Sequence, residues 1–168
     1  SLRLPVLSNF AYESAVFQED AARFAKSARE RFSQLDVAYF DPPYNQHPYG
    51  SNYFMLNLIA DFINEGKSPN VAELSRVSGI PADWNRSAYN KKSSAAEEFF
   101  ALLAEFPAKF LIISFNSEGF ISKAEFLKNL AHIGSVRTIE IGYPTYRASR
   151  NLNARELYVT EFLYVVQK

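Results

Sequence analysis

The chain has 168 residues, 48% hydrophobic and 15% aromatic, with 18 Lys+Arg against 18 Asp+Glu and no Cys. That length and apolar content fit one packed domain and exclude a disordered tail, while zero formal charge excludes a strongly basic stand-alone nucleic-acid binder and leaves room only for a local basic face. Lack of Cys excludes disulfides and thiolate zinc sites and fits a cytoplasmic protein; no apolar run reaches the about 18 residues of a membrane span, and no basic-then-apolar leader opens the chain.

Residues 1–14 have no clear period and read as a connector. Ala15-Val16-Phe17 is a short strand candidate. Asp20 is suited to cap a helix in which Ala21, Phe24, Ala25, Ala28 and Phe32 recur at helical spacing. Val37 to Phe40 is the next strand. Ser51 or Asn52 can cap a helix that presents Met55, Leu58, Ile59 and Phe62 on one face and stops near Gly66. Residues 67–93 form a polar, turn-rich insertion with one short helical piece from Asn70 to Ser78, started by an Asn70/Glu73 capping pair and stopped by Gly79.

Ser94 begins a strong helix with Ala96, Phe99, Phe100, Leu103 and Phe106 in register, ended by Pro107. Phe110 to Phe115 is a near-continuous apolar run, the pattern of a strand covered on both faces. Ser122 and Glu125 form a capping box ahead of Phe126, Leu127, Leu130 and Ala131. Val136 to Ile141 and Leu157 to Val166 are two closing strands, and the loop between them carries Arg147, Arg150 and Arg155. Strand-helix alternation three times over, then two strands, predicts an α/β fold with a parallel sheet and helices on both faces. Right-handed crossovers put the C-terminal ends of the strands on one edge, so Asp20, Asp41 and Asn116 are expected to line one crevice there.

The strand Val37–Phe40 runs into Asp41-Pro42-Pro43-Tyr44. Two prolines fix φ and remove two backbone donors, which leaves the local carbonyls to face a ligand. Asp41 adds an acceptor and Tyr44 a flat aromatic face. Such a corner suits a planar ring with an exocyclic amino group; the alternative is a Pro-rich turn closing a strand. His47 and His132 are too isolated to form a metal pair, and Trp84 reads as local packing. No nucleophile sits beside a base, and no zinc spacing or phosphate-cradling Gly loop occurs.

The stretch Asp41-Pro-Pro-Tyr-Asn-Gln-His-Pro-Tyr-Gly-Ser-Asn-Tyr-Phe-Met-Leu-Asn57 resembles adenine-specific DNA methyltransferases of the Dam type, and Phe110-Leu-Ile-Ile-Ser-Phe-Asn-Ser-Glu-Gly-Phe-Ile121 resembles that family's next strand and loop. The resemblance implies a Rossmann-like methyltransferase sheet, mostly parallel with an antiparallel last strand. It implies methyl transfer from S-adenosylmethionine to the amino nitrogen of an adenine flipped out of double-stranded DNA, within a restriction-modification system. Asp41 and the Pro42 carbonyl would then accept the amino hydrogens, Pro43 would hold the corner rigid, and Tyr44 would stack on the base.

The resemblance further implies that Asp20 contacts the adenine of the donor, its alternative being a plain helix cap. Asn52 and Tyr53 are candidates for the pocket wall or for ordinary capping and packing. Asn116 and Ser117 are candidates for contact with the substrate strand or for a turn. Arg86, Lys91, Lys92, Arg147 and Arg150 are candidate phosphate contacts or solvated surface charge.

Two parts of the family pattern are missing. No Gly-x-Gly for the donor's methionine end occurs among the six glycines, and no region that reads target sequence precedes Asp20. The expectation is an incomplete catalytic domain, its first strands absent, with a second chain as one possible source of the rest. On its own it is expected to bind the donor weakly and to be inactive. The other readings are a non-catalytic remnant or interaction half, and an amino methyltransferase acting on RNA or protein.

Overall fold

The computed structural model describes residues 9, 11–46, 48–66, 87–144 and 157–168. Asp20 caps α1 (Ala21–Arg31), its side chain accepting from the Arg23 N–H at 3.0 Å, and a three-residue connection turns the chain back into β1 (Leu35–Phe40). A single turn, α2 (Tyr49–Asn52), leads into α3 (Phe54–Glu65), which ends at Gly66 in the left-handed region, φ 65°. After the 3₁₀ turn Ala88–Asn90 come α4 (Ala95–Glu105), β2 (Ala108–Asn116), α5 (Lys123–Leu130), β3 (Ser135–Pro144) and β4 (Tyr158–Gln167). Ser122 caps α5 by accepting from the Glu125 N–H at 3.2 Å, as the capping box predicts.

The strands form one sheet in the order β1-β2-β4-β3. β1 and β2 are parallel, and β4 is antiparallel to both β2 and β3. Three strands therefore point one way and the last in sequence points the other, lying inside the sheet rather than at its edge.

The registers sort the side chains into two faces. Ala38 and Phe40 of β1 align with Leu111 and Ile113 of β2, which align with Val166 and Tyr164 of β4. This face carries the core: Phe99, Leu102 and Leu103 of α4, Phe126 and Leu130 of α5, and Ala25 of α1 pack against it. Phe126 is its centre, stacked on Tyr164 at 4.6 Å between ring centroids and tilted against Phe115 at 4.8 Å.

Three expectations fail here. Neither Ser51 nor Asn52 caps α3, whose N-cap is Tyr53 without a side-chain hydrogen bond, because both lie inside α2. Ala15–Phe17 is not a strand. Phe17 instead packs on α1, with its ring 5.2 Å from that of Phe24 and under the Arg31 guanidinium. And among the described residues the helices cover only one face. On the other, Val37 is 53%, Tyr39 61% and Ile141 58% exposed, and Phe110 and Ile112 of β2 are not buried. The expected helix Asn70–Ser78 lies outside the described residues.

Candidate active site

α1 and α4 each run back against the strand that follows them, so their N-termini lie at the edge where β1 and β2 end. Asp20, Asp41, Lys91, Lys92 and Asn116 are thus brought to one edge, although no strand precedes Asp20 among the described residues. Phe40 anchors the end of β1, its ring 5.2 Å from that of Phe106 and 6.3 Å from that of Phe99. Immediately beyond it Asp41 is exposed, while Pro42, Pro43 and Tyr44 are half-buried. No other described residue forms an ion pair or hydrogen bond with the Asp41 carboxylate.

The corner is braced from both sides. The Tyr44 carbonyl accepts from the Phe120 N–H at 2.8 Å, and the Tyr44 ring meets Phe115 edge to face at 6.0 Å. On the other side the Asn90 side chain donates to the Asn45 carbonyl at 2.8 Å. The loop after β2 can close over Phe115 only because residue 119 is Gly, since a Cβ there would collide with the Phe115 ring. In front of the corner, a hollow of about 290 Å³ is lined by Pro43, Tyr44, Asn45, Tyr49, Asn52 and Tyr53, at the small end of ligand-sized pockets. Burial raises the Tyr49 phenol's pKa, and the negative Asp41 nearby raises it further.

Asp20 is an exposed N-cap, and the field of its carboxylate reaches Tyr89 in the turn that braces Asn45. Burial is the larger cause of the Tyr89 pKa being pushed up to about 12. Lys91 and Lys92 are exposed ahead of α4. Asn52 and Tyr53 face the hollow, and Tyr53 pairs with Tyr49 at 5.5 Å between rings. Asn116 is 3% exposed and accepts from the Glu118 N–H at 3.0 Å, the turn role weighed for it. Ser117 extends the pairing of β2 with β4 through Thr160. Arg86, Arg147, Arg150, His47 and Trp84 lie outside the described residues.

A larger hollow of about 500 Å³ opens at the opposite edge, between Arg29, Gln34, Pro107, Lys109 and Lys168. Its cations are engaged. Lys168 donates to the carbonyls of Ala104 at 3.0 Å and Phe106 at 2.7 Å, Arg29 to that of Glu105 at 3.1 Å, and Lys109 pairs with Asp36 at 2.7 Å. This is the capped C-terminus of α4.

Sequence reasoning did not single out Tyr49, which lines the hollow, Tyr89, in the turn that braces Asn45, or the cluster in which Ser114 Oγ donates to Glu161 Oε1 at 2.7 Å and the Tyr143 hydroxyl to Glu161 Oε2 at 3.5 Å. The one visible signal was Glu161, a carboxylate interrupting the apolar run of β4.

Residues 9–74 match the family described as D12 class N6 adenine-specific DNA methyltransferase. The chain is 29% identical over 143 residues to Type II methyltransferase M.CviAII of Paramecium bursaria Chlorella virus 1, covering 85% of this chain and 40% of that protein. It is 29% identical over 158 residues to Type II methyltransferase M.NlaIII of Neisseria lactamica, covering 91% and 42%. Type II methyltransferase M.FokI of Planomicrobium okeanokoites is 26% identical over 171 residues, covering 99% and 24%. The chain thus spans about two fifths, or less, of these relatives. No solved structure matches it. The matched segment 9–74 contains the Asp-Pro-Pro-Tyr corner, Asp41 to Tyr44.

Proposed function

We propose that this chain is part of a site-specific DNA (adenine-N6)-methyltransferase of the Dam type, working in a restriction-modification system in the cytoplasm. The observation that carries the reading is Asp41: an exposed carboxylate, without a partner among the described residues, held on a rigid corner beside an aromatic-lined hollow.

Asp41 and the Pro42 carbonyl accept the two amino hydrogens of the extruded adenine, which turns the nitrogen lone pair outward. Pro43 keeps the corner from relaxing, and Tyr44, pinned by Phe120 and Phe115, stacks on the ring. Asp41 also stabilises the positive charge that develops on nitrogen as the bond to carbon forms; the proton then leaves to solvent. S-adenosylmethionine would supply the electrophilic methyl group, its S–CH₃ bond breaking with the electron pair left on sulfur as a neutral thioether. The residues present fit that donor only in part: Asp20 offers an exposed carboxylate oxygen at the start of α1, but the chain contains no Gly-x-Gly for close backbone approach. Lys91 and Lys92, with Arg147 and Arg150, hold phosphates of double-stranded DNA, and Asn52 and Tyr53 line the path of the substrate strand, while Asn116 serves the turn after β2.

In the enzyme, Asp41→Ala is expected to lower N6-methyladenine formation by about 10²-fold or more while leaving thermal unfolding near normal. A methylation assay reads the first and calorimetry the second; an active Asp41→Ala variant overturns the reading.

A second reading concerns completeness. The outer edge of β1 pairs with no described strand, and an apolar groove of about 320 Å³ runs along it between Ala21, Phe24, Leu35, Val37, Tyr39 and Phe40. Such an edge invites a further strand. The sheet described is then part of a larger Rossmann-like one, completed by more of the same protein or by a second chain, and these 168 residues alone bind the donor weakly and do not methylate. Micromolar affinity of the isolated chain for the donor in a calorimetric titration contradicts this, and a clean monomer on size exclusion counts against a second chain.

A further inference from the structure

α3 is patterned like a helix of a protein core, yet no core lies against it among the described residues. Met55, Leu56, Ile59, Phe62 and Ile63 recur at i, i+1, i+4, i+7 and i+8, which sets them on one stripe about 120° wide. A stripe of that width is how a helix buries itself. Each of these residues is nevertheless more than half exposed, Ile63 at 73%. None of them joins the core or packs against it, and the main neighbour of α3 among the described elements is the single turn α2. Such a surface marks a contact with something else.

Its chemistry narrows what covers it. Residues 54–65 include Asp61 and Glu65 but no Lys or Arg, so the helix repels phosphates and does not suit DNA. Its size does not suit a separate molecule held by this stripe alone. A helix about 18 Å long shows roughly 300 Å² on such a stripe, against the about 800 Å² that each partner buries in a stable complex. Within one polypeptide a contact of that size is enough, because chain connectivity removes most of the entropy cost of association. More than half of each of the relatives M.CviAII and M.NlaIII lies outside the part this chain matches, since it covers 40% and 42% of them. The stripe also stands beside the candidate site: Tyr53 is the N-cap of α3 and lines the hollow with Asn52 and Tyr49.

We propose that α3 is a docking helix. Its stripe from Met55 to Ile63 seats in an apolar groove on the part of the same polypeptide outside residues 1–168, and the contact holds the Asn52–Tyr53 wall of the hollow in place. This rests on the reading that more of the same protein completes the domain. The test uses the full-length protein with Ile63→p-benzoylphenylalanine as a light-activated cross-linker, mapped by mass spectrometry. Cross-links to residues of the same molecule outside 1–168 are expected. Cross-links to a second copy, to added duplex or to residues within 1–168, or none at all, overturn the inference.

Ile63→Asp puts an unpaired charge into the groove and is expected to lower the unfolding temperature by about 5 °C or more. Asp61→Asn, off the stripe, is expected to leave it unchanged. An Ile63→Asp protein as stable as the unaltered one overturns the docking; reduced stability with normal kcat removes only the hold on the wall. Should the Ile63 variants not fold, Met55→p-benzoylphenylalanine reads the other end of the stripe. Val37→p-benzoylphenylalanine, in the groove along β1, separates the two levels. If it cross-links outside residues 1–168 and residue 63 does not, only the docking of α3 falls; if neither does, the completeness reading falls with it.

Discussion

The two edges of the sheet handle charge in opposite ways. At the edge where β1 and β2 begin, Arg29 and Lys168 are bound to the last carbonyls of α4, and Lys109 is paired with Asp36. At the edge where they end, Asp41 stands exposed with no such partner among the described residues, on a backbone tied down at Tyr44 and Asn45. The first edge has the larger hollow and no free chemistry; the second has the smaller hollow and a carboxylate aimed outward. Size of cavity is thus a poor guide here. A polar group left without a partner on a rigid frame is the better one.

The comparison breaks most directly at Asp41, where the loss expected in Asp41→Ala falls on methylation and not on stability. Gly119→Ala comes next. Its methyl group must displace the Phe115 ring or the loop, and the Phe120 N–H then parts from the Tyr44 carbonyl. Overpacking of this kind costs roughly 1–3 kcal/mol, so both the unfolding temperature and methylation are expected to drop together. Arg29→Ala tests the opposite edge. Removing one helix-end hydrogen bond is worth about 1 kcal/mol, read by denaturant titration, and kcat is expected to stay unchanged. A fall in kcat with normal stability there would erase the distinction between the two edges.

The smallest effect sharpens the comparison through pH. In the turn that braces Asn45, burial pushes the Tyr89 phenol's pKa up to about 12 from an ordinary 10. The fold therefore favours the neutral phenol, a stabilisation fully present below pH 10 and lost as pH rises toward 12. Tyr89→Phe is expected to flatten that part of the stability–pH curve, measured by thermal unfolding across pH 9–12.

Much of this was legible in the chain because it depends on local pattern. The period of Ala95–Glu105, the Ser122/Glu125 box, Gly66 as a stop, and the apolar runs of β2 and β4 each carry their own signal. The Asp41–Tyr44 corner was legible for the same reason. Ala15–Phe17 misled because an apolar triplet looks the same whether it pairs with a strand or lies across a helix, and Phe17 found Phe24 and Phe32 on α1. Glu161, Tyr143 and Ser114 come together only through register across three strands, which no window of sequence contains. Tyr49 and Tyr89 depend likewise on how two separate turns fold onto Asn45 and Asp41.

The position of β4 has a consequence for biogenesis. Since β3 touches the sheet only through β4, a nascent chain leaving the ribosome cannot seat β3 until Tyr158–Gln167 has emerged. A stop codon ahead of Tyr158 would strand β3 in solvent and leave one side of β2 bare, a state suited to aggregation or degradation rather than to residual function.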